Sequence, residues 1–70
     1  MLRLQLTPRF FRRGEFTDTQ GTPCVLQESS AASEPCIWLG LMHKDAMHLN
    51  QRQVADLLPY LQRFVATGHL

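Results

Sequence analysis

One stretch constrains this chain more than any other. Val54, Leu57, Leu58, Leu61, Phe64 and Val65 recur at i, i+3, i+4, i+7, i+10 and i+11, so a helix over about residues 51–67 gathers all six on one face. Arg52, Ala55, Asp56, Pro59, Gln62, Arg63 and Ala66 fall on the other. Asn50 is suited to cap the helix, and Gln53 three residues on completes a capping-box-like pair. Leu49 before the cap and Val54 inside it form a hydrophobic staple, and Gly68 stands where a left-handed C-terminal cap is expected. Pro59 removes a backbone donor and crowds the carbonyl of Ala55. Because it lies opposite the stripe, it is expected to bend the helix around whatever the stripe covers.

The residues before the helix read as strands. Cys36–Met42 is apolar and of strand length, with Ile37, Leu39 and Leu41 on one side and Cys36, Trp38, Gly40 and Met42 on the other. Both sides are apolar: the helix is expected to take one, and residues 1–13 or another subunit the other. Cys24–Glu28 reads as the preceding strand, with Ser29–Pro35 as the loop between. Asp18-Thr19-Gln20-Gly21 carries a type I turn signature joining a strand that ends near Phe16-Thr17 to one starting at Thr22. A short strand at Met47–Leu49 leads into the helix. Leu2, Leu4 and Leu6 alternate with Arg3 and Gln5, as in an edge strand stopped by Pro8. The expectation is one α+β domain: a three- to four-stranded antiparallel β-meander packed by one C-terminal α-helix, with residues 1–13 as an N-terminal arm or edge strand and 14–70 as the domain.

Seventy residues, 44% apolar and 19% charged, make a single globular domain and leave no room for a second. Apolar runs of four or five residues are too short to span a membrane. The first sixteen residues lack the apolar stretch and small-residue cleavage site of a secretory leader. Two cysteines are too few for a disulfide scaffold, so a reducing, cytoplasmic setting is expected. A core this small seldom supplies more than ~3–5 kcal/mol, and oligomerisation is a common remedy, so a homodimer is expected. A deep catalytic cleft needs walls that such a chain barely has.

Charge is uneven. Arg3, Arg9, Arg12 and Arg13 are four of the seven cations and precede every acid. Arg9-Phe10-Phe11-Arg12-Arg13 combines phosphate-binding charge with stacking rings, the chemistry of single-strand nucleic-acid binders. The alternative is an edge strand whose phenylalanines are core and whose arginines are solvated. Cys24, Cys36, His43 and His48 are chemically suited to zinc, but their spacing lacks the close cysteine pair of a zinc ribbon, so no metal or other cofactor is expected. No nucleophile elbow, phosphate loop or zinc-protease motif is present, and the reading is non-enzymatic. Trp38 and Met42, if they share a sheet face away from the helix, form an apolar patch of the kind found at interfaces; the alternative is that residues 1–13 fold back over them.

Phe16-x-Asp18-x-x-Gly21, Gln27-Glu28-Ser29-Ser30, Ile37-Trp38-Leu39-Gly40 and Met47-His48-Leu49, ahead of a helix ending Phe64-x-x-x-Gly68, resemble small uncharacterised proteins of bacteriophages and prophages over about residues 14–70. Such proteins often act on host proteins, as defence inhibitors among other roles. The step from strand to helix through Met47–Gln53 is similar to the positive-cofactor-four family of single-strand DNA binders, over mainly residues 46–65. In that family the helix mediates dimerisation. Its basic sheet residues have no clear counterparts here between Thr22 and Met42.

Two functions follow as expectations. The first is a protein-binding module of phage or mobile-element origin that docks on a host protein and modulates or inhibits it, contacting it through Trp38, Met42, Arg12 and Arg13. The alternative is a weak single-stranded nucleic-acid binder using Arg9, Phe10, Phe11, Arg12 and Arg13.

Overall fold

The structure, a computed structural model, describes residues 2–42 and 45–70. Its elements in chain order are β1 (Gln5–Leu6), β2 (Arg12–Thr17), β3 (Pro23–Ala31), β4 (Glu34–Leu41), β5 (Ala46–Asn50) and α1 (Gln51–Thr67). Each strand pairs antiparallel with its sequence neighbour, giving a five-stranded meander in the order β1-β2-β3-β4-β5. The α+β class and the C-terminal helix are as expected. The strand count is one higher, because β1 and β5 both join the sheet.

Local chemistry accounts for the connections. Gly21 donates to the Asp18 carbonyl at 3.1 Å, closing the type I turn, and the Asp18 carboxylate accepts from the amides of Gln20 and Thr22. The β3–β4 hairpin is tighter than the sequence suggests. Ser29–Ala31 and Glu34-Pro35 belong to strands rather than to a loop, and only Ala32 and Ser33 form the turn. Their φ angles of 49° and 69° place both in the left-handed region, the geometry of a two-residue turn that matches strand twist. Neither residue type favours that region, so the turn carries no mark in the sequence. The helix cap is complete: Asn50 accepts from the Gln53 amide at 2.8 Å, the Gln53 side chain accepts from the Asn50 amide at 2.9 Å, and Gly68 ends the helix at φ 81°.

Strand registers sort the sheet into two faces. Leu26, Ile37, Leu39, Met47 and Leu49 share one, with Phe16 and Leu6 further along it. Leu2 and Leu4 join that face, since a Cβ built on Gly14 would lie 2.7 and 2.9 Å from their side chains. Arg13, Gln27, Trp38 and His48 lie opposite one another in adjacent strands on the other face, with Gln5 at the edge.

The helix does not lie across the sheet. Its packing partner is β5, no helix residue is buried, and Val54 alone is half-buried. The reason is the connection: Asn50 is both the last residue of β5 and the helix cap, leaving no linker to swing α1 back over the apolar face. Among the described residues only Cys24, Val25 and Cys36 make up the buried apolar core. No helix among them is long and apolar enough to cross a membrane.

Candidate interaction surfaces

The apolar surface has two parts. Along α1, Leu57, Leu58, Leu61, Phe64 and Val65 are all exposed, Phe64 by 55% and Val65 by 86%. On the sheet, Met47, Leu4 and Leu6 are exposed and Leu26, Ile37, Leu39 and Leu49 are half-buried. Between them runs an open groove of about 770 Å³, where Val54 and Leu58 face Ile37, Pro35 and Phe11. The chain exposes 5,993 Å² in all. A compact monomer of 8.0 kDa is expected to expose about 4,500 Å². The radius of gyration, 13.1 Å, likewise exceeds the roughly 11 Å of a compact 70-residue domain.

The opposite face is polar and ordered by side-chain contacts. The Trp38 and His48 rings stack with centroids 4.1 Å apart. His48 Nε2 lies 3.1 Å from Ser29 Oγ. Arg13 Nε donates to Gln27 Oε1 at 3.0 Å, and its guanidinium pairs with Glu15. Arg13, Val25, Gln27 and Trp38 share a shallow depression of about 350 Å³. Arg13 and Glu15 offset each other, and Asp45 adds a second carboxylate to the lining of the depression. Ser29 and His48 form a hydroxyl–imidazole pair, yet among the described residues no carboxylate bonds the ring's other nitrogen, as an activated nucleophile would need.

Trp38, 37% exposed, stands on the polar face, and residues 2–4 run over the other side of the sheet, above Gly14, rather than folding over it. Met42 follows β4 in a turn, half-buried, with its amide donating to the Pro23 carbonyl at 3.1 Å. Arg12 and Arg13 alternate along β2: Arg13 joins Trp38, while Arg12 shares the face of Gly14 and Leu6 and its amide donates to the Glu28 carboxylate. The basic–aromatic stretch is divided by a turn. Phe10, at φ 65° and 81% exposed, sits between hydrogen bonds linking Thr7 to Phe10 and Phe11. Arg9 is exposed within that turn, and Phe10 and Phe11 both line the groove.

Of the four residues chemically suited to zinc, the three that the structure describes are not gathered into one site. Cys24 and Cys36 are free and buried, five register positions apart on opposite sheet faces. His48 stacks on Trp38, and His43 lies outside the described residues. No cluster of three metal-ligating side chains occurs among the described residues. Sequence reasoning missed Gln27 and His48 as partners of Trp38, and Ile37, Val54 and Leu58 as walls of one groove. Only the strand registers and the path of the helix bring them together.

Comparison with protein-family models, with curated proteins and with solved structures found no match to this chain.

Proposed function

We propose that this chain is a non-enzymatic protein-binding module that works in the cytoplasm as a homodimer and modulates or inhibits a protein of the host of a phage or mobile element. The observations that carry the reading are the exposed apolar stripe of α1 and the apolar sheet face, in a chain that exposes roughly 1,500 Å² more than a compact monomer of its size. Exposed apolar faces of this kind are stabilised by covering them with protein. The polar face is then left for the host partner, with Trp38 as aromatic anchor and Arg13 and Gln27 beside it. On this reading Met42 and Arg12 lie outside that contact.

The nucleic-acid alternative draws support from the stacked Trp38–His48 pair and from the exposed Phe10 and Arg9. It is weakened by the separation of Arg12 from Arg13 and by the pairing of Arg13 with Glu15.

Fluorescence anisotropy of a labelled oligo-dT at low and high salt separates the two readings. The protein-binding reading expects no association even at low salt. Micromolar, salt-sensitive binding that is lost on Arg12→Ala plus Arg13→Ala would install the nucleic-acid reading in its place.

A further inference from the structure

The groove and the helix that borders it pose one packing problem. The first two turns of α1 place Val54 and Leu58 along the groove, while Leu61, Phe64 and Val65 continue the same stripe beyond it, exposed. With no linker between β5 and α1, a chain cannot bring the far half of its own helix back into its own groove. A second copy can.

We infer that the groove seats the C-terminal half of α1 from a second copy. The exchange is reciprocal, so that Leu61 and Phe64 of each chain rest against Ile37, Val54 and Leu58 of the other. The inference rests on reading the chain as a protein-binding module and adds where and how its own copy binds. Three observations select a second copy as the occupant. Groove and plug belong to the same chain, so a two-fold exchange satisfies both at once and closes without leaving a sticky end. Were a pair to cover the excess of roughly 1,500 Å² per copy, it would bury about 3,000 Å², within the ~2,000–5,000 Å² of obligate homodimers. Arg52, Asp56 and Arg63 all lie on the helix side away from the stripe, so the stripe itself brings no charge into the groove, whose lining includes one carboxylate, the exposed Glu28.

The test uses the full chain and two complementary variants, Leu61→Asp and Ile37→Lys. Sedimentation equilibrium of the parent is expected to show a dimer at micromolar concentration. Each variant alone is expected to associate roughly tenfold more weakly or worse, because a charge enters an apolar seat. Mixed in equal amounts, the two are expected to recover a folded heterodimer. In one seat the introduced aspartate meets the introduced lysine, and the other seat keeps Leu61 on Ile37. This recovery, read by sedimentation and circular dichroism, holds even if each variant is unfolded by itself. If Ile37→Lys dimerises like the parent, or if mixing restores nothing, the seat is elsewhere: the inference fails while the module reading stands. A parent that is monomeric, with a cooperative melt independent of its concentration, overturns both. Trp38→Ala, on the opposite face, is expected to leave dimerisation unchanged, and loss of the dimer in that variant counts against the assignment.

Discussion

At Gly40 the backbone takes φ 145°, and an added Cβ would lie 2.9 Å from the Ala46 Cα. Both the conformation and the close strand approach exclude a side chain, so Gly40→Ala is expected to cost ~1–3 kcal/mol and to loosen the β4–β5 pairing that carries the helix. A denaturant melt checks the magnitude. Gly14 is demanding for a different reason: the arm crosses directly above it, and a Cβ added there would meet the Arg3 carbonyl at 2.8 Å and two leucines as near. Asn50 joins strand and helix in one residue, and Asn50→Ala is expected to destabilise by about 1 kcal/mol through the lost cap. In a domain of this size that lowers Tm by about 4–8 °C. The cap was legible because its residue types and spacing are local. Trp38's environment was not, since its neighbours His48 and Gln27 lie 10 and 11 positions away and are aligned only by register.

Among the elements, α1 shows how far a pattern reaches. Its span, cap, capping box and C-terminal glycine all follow from spacing, and Gln51–Thr67 matches the expected extent. What it packs against does not, because a periodic stripe states that a face must be covered and is silent about by what. The β3–β4 hairpin is the converse case. Its strands run further than expected because the turn needs only Ala32 and Ser33, held at positive φ at a cost of about 1 kcal/mol each. Replacing them with Asn and Gly, the residues that such a turn favours, is expected to raise Tm by several degrees. Thermal unfolding followed by circular dichroism measures it, and a lowered Tm would mean that the turn has another geometry.

For the whole molecule, the small core among the described residues and the large exposed area motivate the proposal that stability depends on assembly. If the dimer is obligate, folding and association are one equilibrium, and Tm is expected to rise with protein concentration. Melts over a hundredfold concentration range read this directly. The proposed division of labour between the two sheet faces belongs to this scale as well: the apolar face and the helix are proposed for the second copy, and the polar face with Trp38 for a different partner.

The sequence by itself determined the α+β class, the meander, the turn at Asp18–Gly21 and the helix with both its ends, because each depends on residues within a few positions of one another. Only the tertiary structure decided that Arg12 and Arg13 part company, that Trp38 stacks on His48, and that the helix stands away from its own sheet. The first two depend on which residues face each other across strands. The last depends on a strand passing into a helix at a single residue, which leaves the chain no slack to cover itself.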